Sequence, residues 1–282
     1  MGKAGPNYIW RKAANAQWLS ANETPLHEQT AGLYAVIDRP ERQRVVVEAF
    51  CKTRRVAERL QQVFGGSSSH LARDWKTRVF VATKTKPLRI GRRLTVVSEE
   101  RDIATNRTAA VLIIPAGAAF GTGEHATTAM SLRMLERVTR SLVPGWRMLD
   151  AGTGSGILAL AGRCFGASEV VAIDNDRLAI STAKENARRN GIRRVQFRIA
   201  DVTKPQPSSF DIVTANLYSE LLIRTLPAWL QNLRPRARLI LSGVMRAQES
   251  DVLRGLRKNG YVTRETRRRG KWIALLCSQK RG

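Results

Sequence analysis

The sequence predicts an α/β protein built on a doubly wound, seven-stranded, mostly parallel sheet, preceded by a smaller α+β domain. Three observations predict this. A short apolar strand, Arg147-Met148-Leu149, runs through Asp150 into a glycine turn and then a helix starting Ile157-Leu158-Ala159. Beyond it, apolar strand-like runs alternate with helical patterns, the mark of a parallel sheet covered by helices. The chain closes on two strand-like runs joined by a short basic turn, so the sheet is predicted to end in an antiparallel hairpin.

In chain order, residues 1–64 form the small domain. Tyr8–Lys12 reads as a strand and residues 14–22 as a short helix. Leu33–Ile37 and Arg44–Phe50 read as two strands with a turn at Asp38-Arg39-Pro40. Residues 52–64 place Val56, Leu60, Val63 and Phe64 at helical spacing. The order β-α-β-β-α predicts a ferredoxin-like arrangement. The stretch Gly65-Gly66-Ser67-Ser68-Ser69-His70 has linker composition, so residues 65–75 are predicted to be a linker and residues 76–282 the larger domain. His27 and His70 have no evident partner and read as surface or structural residues.

In the larger domain, Pro87–Gly91 reads as a turn and Leu94–Val97 as a strand. Ala110–Ile114 reads as a buried strand ended by Pro115. Phe120-Gly121-Thr122-Gly123-Glu124-His125-Ala126-Thr127-Thr128 leads into a helix. An ordinary reading makes Thr122 the helix cap and His125 a first-turn residue. The Gly-flanked residues and the Thr pair instead suggest a ligand loop. The second to fifth strands of the main sheet are Val170–Asp174, Val195–Asp201, Phe210–Asn216 and Leu239–Gly243; the final pair is Tyr261–Arg264 and Trp272–Leu276.

The glycine turn carries the chemistry. Gly152, Gly154 and Gly156 occupy alternate positions, which lets the backbone turn sharply and a ligand lie against it. A dinucleotide site has G-x-G-x-x-G and cradles a pyrophosphate. Here the third glycine comes one residue early, and Asp150 stands where a pyrophosphate would be repelled. A carboxylate there suits a ligand with an ammonium group. Asp174 ends the next strand, 24 residues after Asp150, near the spacing of a ribose-binding acid. Asp176 reads as a helix cap. Asp201, ending the third strand, is predicted to accept from an adenine amino group or to cap its own loop. Asn216-Leu217-Tyr218 follows the fourth strand and faces the place where chemistry would occur.

D-x-G-x-G-x-G resembles motif I of class I S-adenosylmethionine methyltransferases. Together with Phe-Gly-Thr-Gly-x-His-x-Thr-Thr, the acid at Asp174 and the lead-in Pro87–Leu94, it resembles the methyltransferase family acting on large-subunit ribosomal protein eleven. The resemblance covers roughly residues 75–280. It implies a Rossmann-like fold, S-adenosylmethionine as cofactor, and a protein N-methyltransferase acting on lysines and an α-amine. It implies that Thr122, Gly123 and His125 close over the methionine end of the cofactor, and that Asn216 lies near the amine, with Tyr218 lining the target channel. It also implies that the small domain docks the protein substrate. The sequence departs from the family at Ala126, at Leu217-Tyr218 and in a far more basic first domain, so another protein's lysines remain open as the target.

The chain has 282 residues, with 48 Lys and Arg against 23 Asp and Glu, a net charge of +25. The excess is +9 over residues 1–100, +5 over 101–233 and +11 over 234–282. Such charge serves solubility, or directs arginines to the phosphates of a polyanion such as ribosomal RNA. A nucleic-acid methyltransferase is a competing reading. Against it, Asn216 is followed by leucine rather than by the proline of an Asn-Pro-Pro-Tyr signature, and no cysteine follows the fourth strand. A small-molecule methyltransferase would leave the basic first domain unexplained; a silent cofactor-binding module is the fourth reading. Cys51, Cys164 and Cys277 lack metal-ligand spacing, fit a reducing cytoplasm and read as buried small hydrophobes. The start of the chain leads into no apolar signal segment, and its apolar runs are shorter than a membrane span.

Overall fold

The computed structural model describes residues 8–30, 34–39, 44–71, 87–100, 109–115, 125–231 and 233–280. The chain forms two compact units, one up to Thr83 and one from Lys84.

The first unit contains β1 (Tyr8–Ala14), α1 (Ala16–Thr30), β2 (Tyr34–Arg39), β3 (Arg44–Cys51), α2 (Arg54–Phe64) and β4 (Ser67–His70). Its sheet order is β2-β3-β1-β4, with every pair antiparallel, the ferredoxin-like arrangement. Trp10, Val47, Ala49, Leu60 and Phe64 form its core, and the Trp10 indole N–H donates to Gly65 O at 2.8 Å. Thr53 caps α2 by accepting from Val56 N.

Three expectations need correction here. The linker read over 65–75 contains β4, which pairs with β1 from Tyr8↔His70 to Arg11↔Ser67. Strand pairing runs through the backbone, so an edge strand of serines forms without apolar side chains. Only Gly65 and Gly66 act as the turn, and a Cβ on Gly66 would lie 2.3 Å from Arg11 O. The compact units divide later than the predicted linker, between residues 83 and 84. In α2 the buried stripe is Ala57, Leu60 and Phe64, whereas Val56 and Val63 are exposed. One residue of offset rotates a side chain about 100° around the helix, enough to leave the core. The predicted helix over 14–22 runs to Thr30.

The second unit opens with a small sheet of β5 (Leu88–Ile90), β6 (Leu94–Val97) and β7 (Ala110–Ile113). The turn expected at 87–91 is thus a strand, and the chain reverses at 91–93 instead. Then follow α3 (Ala126–Thr139), β8 (Arg147–Ala151), α4 (Ile157–Cys164), β9 (Glu169–Asp174), α5 (Arg177–Arg189) and β10 (Val195–Ile199). The unit continues with β11 (Phe210–Asn216), α6 (Ser219–Leu230), β12 (Leu233–Met245), α7 (Glu249–Lys258), β13 (Tyr261–Arg269) and β14 (Trp272–Gln279).

The large sheet has the order β10-β9-β8-β11-β12-β14-β13. β14 lies antiparallel between β12 and β13, and the other pairs are parallel, as the sequence predicts. Successive strand residues bury into opposite faces. Met148, Ile212 and Ile240 join α3 and α4 on one face; Leu149, Val213 and Leu241 join α6 and α7 on the other. Helices covering both faces explain why these strands read as continuous apolar runs.

Candidate active site

The strand order reverses between β8 and β11, and the crevice beyond the carboxyl ends of such strands is where an open α/β sheet takes a ligand. The turn built on Gly152, Gly154 and Gly156, with Asp174 and Asn216 at the ends of their strands, lies at that end of the sheet.

The turn after β8 is fixed by its neighbours. Gly152 N and Thr153 N both donate to Ile173 O, at 2.9 and 3.0 Å, tying the turn to the end of β9. Gly152, Gly154 and Gly156 all have positive φ. At Gly152 the space is also closed, since a Cβ would lie 2.4 Å from Leu217 Cδ2. Gly154 N donates to Asp174 Oδ2 at 3.0 Å, and Asp174 Oδ1 accepts from Asp176 N at 3.0 Å. Asp174 is half-buried at the tip of β9, aimed at the turn. Asp176 caps α5 by accepting from Leu178 N, as expected.

Asp150 departs from expectation. It is 1% exposed, and both carboxylate oxygens are engaged by threonine hydroxyls. Thr153 Oγ1 donates to Oδ2 and Thr214 Oγ1 to Oδ1, each at 2.6 Å. Burial pushes its pKa up to about 6, against the hydrogen bonds from Thr153, Thr214 and the Ala159 backbone that favour the charged form. In this structure the carboxylate braces the underside of the turn, a role that the expectation of a contact with a ligand ammonium did not include. The reason is the register, which sets Thr214 directly across from Asp150 in the neighbouring strand.

Asn216 lies at the carboxyl end of β11 in a hydrogen-bonded chain. Ser242 Oγ donates to Asn216 Oδ1 at 3.0 Å, and Asn216 Nδ2 donates to Thr128 Oγ1 at 3.4 Å. Ser131 Oγ lies 2.7 Å from Ser242 Oγ. Thr128, Ser131 and Ser242 are buried, so the amide is oriented by groups that water does not reach. Leu217 N donates to Ser242 O, and Gly243 makes room for this segment: a Cβ there would lie 2.5 Å from Leu217 O. Tyr218 precedes α6 and is 58% exposed, accessible but without a side-chain capping bond.

His125, rather than Thr122, caps α3, its Nδ1 accepting from Thr127 N at 3.4 Å and lying 2.7 Å from Thr127 Oγ1. Its ring packs edge-on against Trp272, with centroids 4.9 Å apart. Burial, with the charge of Lys271, pulls its pKa down and so favours the neutral ring. Thr122 and Gly123 lie outside the described residues. Asp201 takes the loop-capping geometry: Oδ1 accepts from Thr203 N at 2.8 Å and from Thr203 Oγ1 at 2.7 Å.

Thr214, Ser131, Ser242 and Gly243 escape sequence reading, and Thr128 was singled out there only as one of the Thr pair of a ligand loop. Thr214 has a weak signal, as the polar residue inside the apolar run of β11. The serines have none, because they act only across strands. Among the described residues no cluster of three His, Cys, Asp or Glu is placed to hold a metal. Burial pushes the Cys164 thiol up to about 11 and the Cys277 thiol up to about 12, so neither is a ready nucleophile. A cavity of about 310 Å³ lies near the amino end of β8, at the opposite end of that strand from the glycine turn. Its Arg93 is already bonded to Thr139 Oγ1 and Phe165 O.

The ribosomal protein L11 methyltransferase (PrmA) family model matches residues 11–280. The chain belongs to the ribosomal protein L11 methyltransferase family. Relatives of that name include those of Symbiobacterium thermophilum, 37% identical over 68% of this chain and 62% of the relative, and Pelobacter propionicus, 38% identical over 68% and 62%. This member of the L11 methyltransferase family therefore spans about three-fifths of the length of the curated relatives it matches. The crystal structure of a ribosomal protein L11 methylase from Lactobacillus delbrueckii subsp. bulgaricus superposes with a TM-score of 0.61 and 28% identity, covering 70% of this chain and all of that one. The family match extends across both units, whereas sequence resemblance alone reached only residues 75–280.

Proposed function

We propose that this chain is an S-adenosylmethionine-dependent methyltransferase that methylates lysine and α-amino groups of large-subunit ribosomal protein eleven. The observation that carries it is the placement of Asn216 on the crevice that the glycine turn and Asp174 also line. The residues fit the cofactor. A turn of positive-φ glycines leaves a face without side chains, and Asp174 stands beside it with a carboxylate suited to two ribose hydroxyls. Asp150 supports the turn from below; Thr122, Gly123 and His125 are assigned to the cofactor by the family resemblance of their motif, and Asp201 by its place just after β10.

The cofactor supplies a methyl group on a positively charged sulfur, which is its own leaving group. The chain's own residues would have to hold an amine in line with that methyl group and close to it. That amine must be uncharged, whereas a free lysine has a pKa of about 10.4. Burial beside positive charge lowers it. Asn216 Oδ1 accepts one bond from Ser242, which leaves it a second lone pair for an amine N–H. Ser242 and Ser131 are positioning residues that keep the amide oxygen turned this way. Tyr218, exposed at the mouth, lines the channel for the target chain.

The first unit is the natural dock for the protein substrate, and ribosomal RNA is the natural polyanion for the basic ends of the chain. The cytoplasm is the compartment that suits this substrate; no helix among the described residues is long and apolar enough to cross a membrane. The test is incubation with methyl-labelled S-adenosylmethionine and a cell extract, followed by protease or nuclease on parallel samples. Label removed by protease, in a band of the size of protein eleven, supports the assignment. Label removed only by nuclease makes the chain a nucleic-acid methyltransferase, and no incorporation overturns the activity.

A further inference from the structure

The positive charge is not spread evenly over the second unit. Along α3, Arg133 and Arg137 stand four residues apart on one face; along β13, Arg267 and Arg269 alternate onto one face with Glu265. The two rows meet. Arg137 pairs with Glu265, and Arg267 reaches the same carboxylate at 2.7 Å. One carboxylate therefore serves two arginines. Arg133 finds no carboxylate among the described residues. Its guanidinium bonds the Ala129 carbonyl of its own helix at 3.5 Å. Partial burial and the like charges of Arg269 and Arg267 pull its pKa down.

The strip has a direction. Its near end is the β13–β14 turn, where Lys271 lies over Trp272 and Trp272 packs on His125 at the start of α3, beside the Asn216 chain. From there it runs along α3 and β13 away from the crevice. Four residues of helix advance about 6 Å. Two residues of strand advance nearly the same distance, about 7 Å. Both rows thus repeat a cation at a step comparable with that between neighbouring phosphates of a single strand. The side chains are arginines, whose planar forks suit phosphate oxygens. A cationic lysine-bearing segment would be repelled here, so the strip is not the dock for a basic protein substrate.

We propose that Arg133, Arg137, Arg267 and Arg269 form a binding track for single-stranded RNA, leading away from the crevice. This localises the polyanion contact suggested by composition. It is read without cofactor or methyl acceptor, so its failure and the failure of the methyltransferase assignment are separate results.

The test uses the full chain and a fluorescein-labelled 12-nucleotide single-stranded RNA, with anisotropy measured between 50 and 200 mM salt. Each phosphate contact on a single strand contributes about 0.7 to the slope of log affinity against log salt. The variant R133Q/R267Q/R269Q keeps Arg137 on Glu265 and is expected to lose about 2 from that slope, with at least a tenfold loss of affinity at 50 mM salt. The control K184Q/R188Q/R189Q removes the same charge from the exposed face of α5, where Glu185 likewise faces two arginines. It is expected to keep the wild-type slope. Circular dichroism checks that both variants are folded. Equal losses in the two variants would reduce the effect to net charge and overturn the track. Competition by polyglutamate as effective as that by unlabelled RNA would assign the strip to acidic proteins and overturn it as well.

Discussion

The ends of β8 and β9 make a controlled comparison. Each carries an aspartate within its last two residues, each aspartate borders the same glycine turn, and they do opposite things. Asp150 is sealed beneath the turn with both oxygens taken by threonine hydroxyls. Asp174 is half-buried and accepts one backbone N–H on each oxygen, which leaves it acceptor capacity at the crevice. An acid at a strand end is thus not by itself a ligand contact. What decides is the neighbouring strand: Thr214 of β11 stands opposite Asp150 in register.

The comparison can be broken most forcefully at Asp150. Asp150→Ala leaves two buried hydroxyls without their acceptor, at a cost of about 1–3 kcal/mol each. We expect a stability loss of about 2–5 kcal/mol in urea unfolding, with cofactor affinity falling alongside because the turn loses its brace. A stable variant that merely binds cofactor poorly would show that Asp150 contacts the ligand after all. Asp174→Ala should do the reverse. Cofactor affinity by calorimetry should fall about 10–100-fold, the worth of charge-assisted hydrogen bonds, while stability changes by about 1 kcal/mol. Unchanged affinity would remove Asp174 from the site.

Titration sharpens the same contrast. The folded-state pKa of Asp150, about 6, lies above its ordinary 3.8, so the folded protein holds this proton more tightly than the unfolded chain. The contribution of Asp150 to stability is therefore greatest below pH 4, declines between about pH 4 and 6, and is level above. Relative to Asp150→Asn, wild type should lose up to about 3 kcal/mol across that window. Parallel unfolding curves for the two proteins from pH 4 to 7 would contradict the buried assignment.

Effects on the transfer step are expected to be smaller in stability and specific in kind. Asn216→Ala should lower kcat about 10²-fold or more with cofactor affinity nearly intact, whereas equal loss of both would contradict its role toward the amine. Ser242→Ala should lower kcat about tenfold with KM for cofactor unchanged, and Ser242→Thr, which keeps the hydroxyl, should restore part of it. A loss confined to thermal stability would make the serine merely structural.

The two units differ in how legible they were. In the larger one, strand and helix alternation, the closing hairpin and the glycine turn are local patterns of side-chain hydrophobicity and backbone freedom, whereas the order of the strands came from the structure. In the smaller one, the fold was recognisable from five elements, but its last strand was hidden in Ser67–His70. No apolar alternation marks that strand, because it is held by its backbone pairing with β1.

By itself, the sequence determined the fold class, the family, the turn built on Gly152, Gly154 and Gly156, and the gathering of Asp174 and Asn216 at one edge of the sheet. The family followed from the resemblance of its motifs, and the rest from periodicity and spacing along the chain. Only the tertiary structure decided that Asp150 lies under the turn, that Ser242 and Thr128 orient Asn216, and that arginines from α3 and β13 share one carboxylate. Each of these is a matter of which residues stand opposite one another across strands and helices that are far apart in sequence, and register of that kind has no local signature.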